Sequence, residues 1–324
     1  MALLVLSGIG GANCRSLLAG DSPFATASRF DKLKAPSVSR GKLASYKLQI
    51  CLCPGFSQMR SPSRCFCVVL TSVARPLFIA HRGASAEAPE NTLAAFRRAI
   101  AIGVDGIELD VQVTRDGVPV VFHDATLVRL IGRRGHIGQF TRSELQEFRI
   151  RDEAIPTLAE VLALTRDRCV VEVELKRGTL VAPVVEAIRQ ARAENAVILA
   201  SFEPKLVAEA RLRAPQLPRM LICEGGGRRQ SPARAQTDRL ASVLAALGAG
   251  GISLDHHAIP SAKFISALKC RGFCVWCWTV NQPRAMLRLS RWGADALLSD
   301  DPVLLKSTLS TPAATNAEIK ALTS

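Results

Sequence analysis

From Leu77 onward, short runs rich in aliphatic and β-branched residues alternate with segments of helical periodicity. Such alternation predicts a parallel sheet built from strand–helix units, with the helices packed on the faces of the sheet. The predicted strands are at residues 77–80, 106–113, 118–122, 169–175, 196–200, 219–223, 251–254, 273–280 and 294–298. The chain is therefore expected to form a large α/β domain.

The third of these strands does not fit a parallel arrangement. Only a short segment that ends in Asp116-Gly117 separates it from the second strand, and this leaves no room for a helix. Asp-Gly between two strands is a strong hairpin signal, and a hairpin makes its strands antiparallel. The other eight strands occupy about 230 residues, a size typical of a TIM barrel. We therefore predict an α/β fold, a (β/α)8 TIM barrel with a small β-hairpin excursion after strand 2.

An irregular N-terminal extension is expected to precede the barrel, at residues 1–75. It lacks sustained periodicity, is rich in Ser, Ala and Arg, and has only Asp21 and Asp31 as acids. This composition is typical of an organelle transit segment, and a spurious start of the chain would look the same. We divide the chain into this extension, a barrel domain at 76–306 and a polar tail at 307–324. The predicted location is cytoplasmic, or an organelle if the extension is a genuine transit segment.

The charge of the chain is unevenly distributed. The formal net charge is +14, and residues 1–75 carry +8 of it. A strongly basic chain can bind nucleic acid, but most of this excess lies outside the predicted barrel, so we expect a small anionic substrate and no nucleic-acid partner. No run approaches the roughly 18 uninterrupted apolar residues of a membrane-spanning helix, and no transmembrane segment is predicted.

Two predicted strands carry charged residues at every second position. Glu108 and Asp110 alternate with apolar residues on one, and Glu172, Glu174 and Lys176 alternate likewise on the other. A period of two places each set on one face. Because helices cover the outer face of a barrel strand, these acids are expected to point inward, where carboxylates need a cation. The oxygen donors of Glu108, Asp110 and Glu174 suit one hard divalent ion, Mg²⁺ or Ca²⁺. The alternative is an exposed antiparallel strand with one solvated face.

Short motifs follow one another around these strands. They are HRG at 81–83, PENT at 89–92, AF at 95–96, ELDV at 108–111 followed by Thr114 and Asp116-Gly117, VVFHD at 120–124, ELK at 174–176 and WTVN at 278–281. In this order and spacing they resemble the glycerophosphodiester phosphodiesterase family, of the phospholipase C-like phosphodiesterase superfamily. The resemblance extends from residue 78 to about residue 304.

The resemblance implies a role for each matching position. The implied sets are two catalytic histidines, His81 and His123; divalent-metal ligands, Glu108, Asp110 and Glu174; basic groups near the phosphate, Arg82 and Lys176; and an aromatic group near the glycerol, Trp278. The reaction needs such a set, because cations must offset the charge of a phosphodiester. Histidine can remove a proton from the attacking hydroxyl or deliver one to the leaving alkoxide near neutral pH. We expect His81 as the base and His123 as the acid.

Glu172 shares a strand face with Glu174 but is expected to lie deeper in the barrel. We predict that it is an inner-layer residue paired with a base, and not a metal ligand.

The expected function is metal-dependent hydrolysis of small-molecule glycerophosphodiesters to glycerol 3-phosphate and an alcohol. One alternative is a lysophospholipase D-like phosphodiesterase on the same barrel, which an apolar lid near the barrel mouth would favour. The other is a catalytically silent binding scaffold, which loss of a histidine or a metal-binding acid would favour. The sequence has neither feature. No oligomeric state is predicted.

Overall fold

The computed structural model of the chain describes residues 49–51, 67–69, 75–224 and 233–310. The strands of its main body are β1 (Leu77–His81), β2 (Gly106–Val113), β3 (Pro119–Val121), β4 (Arg149–Ile150), β5 (Glu153–Ala154), β6 (Val170–Leu175), β7 (Val197–Ser201), β8 (Arg219–Cys223), β9 (Gly251–Asp255), β10 (Cys274–Trp278) and β11 (Ala296–Ser299). The α-helices are α1 (Leu93–Ile102), α2 (Val128–Ile131), α3 (Arg142–Leu145), α4 (Leu158–Thr165), α5 (Val181–Gln190), α6 (Pro204–Arg213), α7 (Ala233–Leu247), α8 (Ala262–Lys269), α9 (Pro283–Arg291) and α10 (Pro302–Ser310). Two 3₁₀ turns complete this body, at Ile137–Gln139 and His256–Ala258.

Eight parallel strands form a closed barrel, in the order β1, β2, β6, β7, β8, β9, β10 and β11. The pairing of β11 with β1 and of β1 with β2 closes the ring. Most of the strands are followed by a helix that packs on the outside, and the TIM-barrel prediction is confirmed.

The strand faces divide as the alternation predicts. Ile107, Leu109 and Val173 point outward into an apolar layer shared with the surrounding helices. The inner face of the barrel is apolar at its lower levels, where Ile79, Ile198 and Trp276 pack together. The acidic residues of β2 and β6 lie on that inner face.

The hairpin excursion after strand 2 is also confirmed. β3 pairs antiparallel with the end of β2, with Val111 opposite Val121. Gly117 has φ +84°, a conformation that glycine adopts without strain, at the turn between them. The chain then forms a small apolar cluster of its own before α4, from residues that include Phe122, Leu127 and Phe148. This excursion, residues 119–155, is anchored at the carboxyl end of β2.

Most of the predicted N-terminal extension and of the predicted C-terminal tail lies outside the described residues. Within the predicted extension, the structure describes one antiparallel strand pair, Gln49–Cys51 with Cys67–Val69. At the other end, α10 continues to Ser310, beyond the predicted limit of the barrel domain. None of the described helices has the length and apolar character needed to cross a membrane.

Candidate active site

Three acidic side chains converge at the carboxyl end of two neighbouring barrel strands. β2 and β6 pair in parallel so that Asp110 is opposite Glu174, and Glu108 is opposite Glu172. Glu108, Asp110 and Glu174 are 3%, 1% and 7% exposed. One carboxylate oxygen from each of these three lies within 4.8 Å of the others. Adjacent strands thus create an acidic cluster that neither strand has alone.

The donor set of this cluster fits a hard divalent cation. All three donors are carboxylate oxygens, the ligands that Mg²⁺ and Ca²⁺ prefer. A second group, formed by Glu90, His123 and Asp124, has similar spacing, but Arg129 already binds both of its carboxylates. The cluster of Glu108, Asp110 and Glu174 is therefore the better metal centre.

The acids of the cluster repel one another, and this repulsion contributes to the pKa shifts of Glu108 and Glu174. Burial, followed by repulsion from Asp110, raises the pKa of Glu108 well above its usual value. Burial also raises the pKa of Glu174, to about 7. Burial opposes ionisation of Asp110 as well, but Lys176 and Arg82 hold its pKa well below the usual value. Such clustered acids are stable as carboxylates only beside positive charge.

Lys176 supplies part of that positive charge. Its Nζ donates a hydrogen bond to Glu174 Oε1 at 2.6 Å and lies 2.9 Å from Asp110 Oδ1. The side chain of Lys176 is largely buried, and the two carboxylates keep its pKa above the usual value although burial lowers it. Lys176 is thus a charged group in the cavity wall.

The loop that follows β1 adds a second positively charged side chain, that of Arg82. The backbone N–H of Arg82 donates to Glu108 Oε2 at 3.0 Å, and Arg82 Nε lies 3.4 Å from Asp110 Oδ2. Asn91, with φ +59°, donates to Asp110 Oδ2 at 2.7 Å. Glu90 accepts from Arg82 Nη1 at 3.0 Å. This loop therefore orients the acids as well as Arg82.

His81 lies at the end of β1, with its two ring nitrogens in different surroundings. Nδ1 is 2.7 Å from Asp300 Oδ1, and Nε2 is 3.9 Å from Glu108 Oε2. Burial would raise the pKa of Asp300, but its hydrogen bond to His81 helps to hold that pKa at about 2. The ionised carboxylate can only accept, so Nδ1 carries the proton and Nε2 faces the cluster.

His123 follows β3 and returns to the same site. Gln112 on β2 donates to the carbonyls on either side of it, at Phe122 and Asp124. His123 Nδ1 lies 2.7 Å from Asp124 Oδ1, and Arg129 contacts both oxygens of Asp124 at 2.7 Å. These Arg129 hydrogen bonds, ahead of other causes, lower the pKa of Asp124 to about 2. Burial lowers the pKa of His123.

A cavity of about 480 Å³ lies at the barrel mouth, within the size range of small-molecule sites. Most of the predicted site residues line it: His81, Arg82, Glu108, His123, Glu174, Lys176 and Trp278. Trp278 and Phe202 meet edge to face on one wall, with ring centroids 5.6 Å apart. Glu172, Ser253, Ile222 and Leu298 line it as well. The structure therefore brings these predicted site residues together around one cavity, and Asp110 joins them through its cluster with Glu108 and Glu174.

The prediction for Glu172 is half right. It lies in an inner layer, 1% exposed, and it is not part of the three-acid cluster. The predicted base is wrong: among the described residues, neither carboxylate oxygen has a hydrogen-bond partner. Its register partner on β2 is another acid, Glu108, and none of the described basic side chains forms a hydrogen bond to it. Burial and the nearby acids Glu174 and Asp110 raise its pKa to about 8.

Sequence reasoning missed three residues that hold the histidines. Asp124 directly follows His123, so its position was a signal that could have been used. Asp300 is 219 residues from His81, and Arg129 lies in the irregular excursion. No local pattern connects these two to the histidines.

A profile of the Glycerophosphoryl diester phosphodiesterase family matches residues 81–304. A glycerophosphodiester phosphodiesterase of Caldanaerobacter subterraneus is 34% identical over 245 residues, which cover 71% of this chain and 96% of that protein. A rat protein, glycerophosphodiester phosphodiesterase 1, is 43% identical over 117 residues, which cover 33% of this chain and 35% of that protein.

Solved structures agree with these sequence matches. A phosphodiesterase of Oleispira antarctica, in complex with the product sn-glycerol-3-phosphate, has a TM-score of 0.65 and is 28% identical, over 73% of this chain and 98% of its own. A glycerophosphodiester phosphodiesterase of Agrobacterium tumefaciens has a TM-score of 0.62 and is 26% identical, over 72% of this chain and 99% of its own.

Proposed function

The chain belongs to the glycerophosphoryl diester phosphodiesterase family, and we propose that it uses one divalent cation and two histidines to release glycerol 3-phosphate and an alcohol. Its activity as a glycerophosphodiester phosphodiesterase follows from its family and its relatives. The observation that carries the mechanism is the meeting of three buried acids and two carboxylate-bound histidines around one cavity.

Glu108, Asp110 and Glu174 would hold the cation, Mg²⁺ or Ca²⁺. When bound there, it would offset negative charge on the phosphodiester, as such ions do at phosphoryl centres. Arg82 and Lys176 add fixed positive charge beside the same acids. Preorganised positive groups stabilise the negative charge that develops on the phosphoryl oxygens in the transition state.

His81 is the proposed base. The Asp300 carboxylate fixes the proton on Nδ1, so that Nε2 presents a lone pair toward the cluster. Nε2 would take the proton of the attacking hydroxyl, from water or from the glycerol of the substrate. The new bond to phosphorus then replaces the bond to the departing alcohol, and Asp300 stabilises the imidazolium that forms. Attack by water gives glycerol 3-phosphate directly, whereas attack by the glycerol hydroxyl gives a cyclic phosphate that a water molecule must then open.

His123 is the proposed acid. Its Nδ1 is bound to Asp124, so Nε2 is the nitrogen that can deliver a proton to the leaving oxygen. The Asp124 carboxylate favours the protonated imidazole, whereas burial opposes it. Such proton transfer is typically worth about 10²–10⁴ in rate. Trp278 on the cavity wall would pack against the carbon chain of the glycerol.

A headgroup panel tests this function with the full chain. Wild type should hydrolyse glycerophosphocholine and glycerophosphoethanolamine, and His81→Ala, His123→Ala and Glu108→Ala should each lower kcat by about 10²-fold or more. His257→Ala is a matched control, since His257 is exposed and lies outside the cavity. Wild-type turnover by His123→Ala would contradict its assigned role.

The same panel distinguishes the alternative functions. Inactivity of the wild-type protein toward every diester would favour a binding scaffold. A preference of the wild-type protein for lysophospholipids would favour the lysophospholipase D-like alternative.

Chelation tests the cation separately. Treatment with EDTA should abolish hydrolysis, and Mg²⁺ or Ca²⁺ added in excess should restore it. Full activity after exhaustive chelation would contradict a metal-dependent reaction.

The proposed location is cytoplasmic, and this rests on the sequence alone. A fluorescent fusion of the full chain should be diffuse in the cytoplasm. Accumulation in an organelle, by this fusion and by a fusion of residues 1–75 alone, would instead identify the extension as a transit segment.

A further inference from the structure

The closed end of the active-site cavity has polar groups that the proposed mechanism does not use. Glu172 and Ser253 each line this cavity and are each 1% exposed. Within the part of the chain that the structure describes, both Glu172 oxygens and the Ser253 hydroxyl lack hydrogen-bond partners. Burial of polar atoms without partners is costly. Two such groups on one cavity therefore indicate a ligand that supplies the missing hydrogen bonds.

The strand positions place these two groups one level below the reactive groups. Glu172 precedes Glu174 by two residues on β6. Ser253 precedes Asp255 by two residues on β9, and Asp255 is the register partner of Trp278. Two residues of a strand span about 6.6 Å. A three-carbon chain attached to a phosphate, with bonds of about 1.5 Å, reaches a similar distance.

The cavity is closed at this level and open at the other end. Ile222, the register partner of Ser253, and Leu298 line the cavity too. Both belong to the apolar cluster of the barrel interior, in which Leu77, Ile79 and Trp276 pack. A closed end admits a small group of constant size, whereas an open mouth accepts groups of different size. In a glycerophosphodiester, the constant part is the glycerol and the variable part is the alcohol.

We propose that Glu172 and Ser253 form a subsite for the terminal hydroxyl of the glycerol moiety. This rests on the proposed function and names its substrate class: diesters whose terminal glycerol hydroxyl is free. The hydroxyl both donates and accepts, so it can satisfy the carboxyl group and the serine together. An acyl chain on that oxygen would have no space, and lysophospholipids acylated there are excluded.

The test compares three substrates that differ at this hydroxyl. They are glycerophosphocholine, the phosphocholine ester of propane-1,2-diol that lacks the hydroxyl, and lysophosphatidylcholine. For the first, Glu172→Leu should lower kcat/KM about tenfold or more, and Ser253→Ala should lower it severalfold. For the propanediol ester both variants should match wild type, because the contact they remove is absent. Wild type should not hydrolyse lysophosphatidylcholine.

Ser201→Ala is the matched control. Ser201 is also a buried serine of the cavity wall, but its hydroxyl already donates to the Leu175 carbonyl at 2.8 Å. Any change it causes should affect glycerophosphocholine and the propanediol ester equally.

Thermal unfolding separates this role from a structural one. Glu172→Leu replaces an unpartnered buried carboxyl group by an apolar group of similar size, so Tm should rise while activity falls. A lower Tm would show that Glu172 supports the fold, and would overturn the proposal. So would an unchanged kcat/KM for glycerophosphocholine in both Glu172→Leu and Ser253→Ala, or an equal loss on both diesters. If wild type hydrolyses none of the three substrates, the proposed function fails together with the subsite.

Discussion

At the scale of single residues, each histidine is oriented by a carboxylate on its Nδ1. Asp300 has this role for His81, and it also accepts hydrogen bonds from Ser85 and Asn281, at 3.1 and 2.6 Å. These additional donors fix Asp300 itself. The carboxylate therefore determines both the tautomer and the direction of the imidazole.

Replacement of Asp300 by asparagine should remove this control. Asp300→Asn is expected to lower kcat for glycerophosphocholine by about 10²-fold or more, with KM changed only slightly, because substrate binding does not depend on the tautomer. Steady-state kinetics check this. Asp301→Asn is the control, since Asp301 contacts its own helix terminus at Leu304 and not the histidine. Equal kinetics for Asp300→Asn and wild type would contradict the role.

Asp300 also makes stability depend on pH. Its folded-state pKa of about 2 lies below the unfolded value of about 3.9. The stabilisation it contributes is therefore complete above that unfolded value and is lost as pH falls toward 2. Denaturant unfolding should show a larger difference in free energy between wild type and Asp300→Asn at about pH 6 than at about pH 3. A difference that grows on acidification would show that the linkage has the opposite sign.

At the scale of elements, the excursion after β2 is more than a loop. Its own apolar cluster positions α2, and Arg129 on α2 binds Asp124 and Glu90 at the same time. Glu90 in turn binds Arg82. A chain of charged groups thus connects the excursion to both His123 and Arg82.

Arg129→Gln should loosen this connection. We expect kcat to fall about tenfold, because Asp124 no longer holds His123 in one orientation, whereas the fold is retained. Arg115→Gln is the matched control: Arg115 belongs to the β2–β3 turn and contacts Glu144 at 3.1 Å in an exposed pair. Kinetics of the two variants should therefore differ. A similar loss in both would indicate general disturbance of the excursion.

Elements were easier to predict from sequence than the contacts between them. Alternation of β2 and β6 placed Glu108, Asp110 and Glu174 on inner faces, and Asp116-Gly117 predicted the hairpin, since both signals are local. Asp300 reaches His81 only because β11 pairs with β1, which depends on closure of the whole ring. Glu172 was correctly placed in depth. Its lack of a basic partner among the described residues depends on side chains of other strands, which a periodicity cannot identify.

At the scale of the whole molecule, the acidic cluster should couple cation binding to stability. A ligand that binds only the folded state adds about 2.7 kcal/mol at a concentration 100 times its Kd. Addition of Mg²⁺ or Ca²⁺ to the EDTA-treated full chain should therefore raise Tm by several degrees. Glu108→Gln should abolish most of that rise, whereas Glu147→Gln, which changes an exposed acid, should retain it. An equal rise in both variants would place the ion elsewhere.

The parallel pairing of β2 with β6 has a further consequence for how such an enzyme can diverge. Neighbouring strands lie about 4.8 Å apart, so backbone hydrogen bonds of the barrel wall set the spacing of the three acids. The groups nearest the open mouth belong to loops and to the excursion, which tolerate insertions far better than a barrel wall does. Related enzymes can therefore change their specificity for the alcohol through changes in these loops, while the strands that position the three acids stay the same.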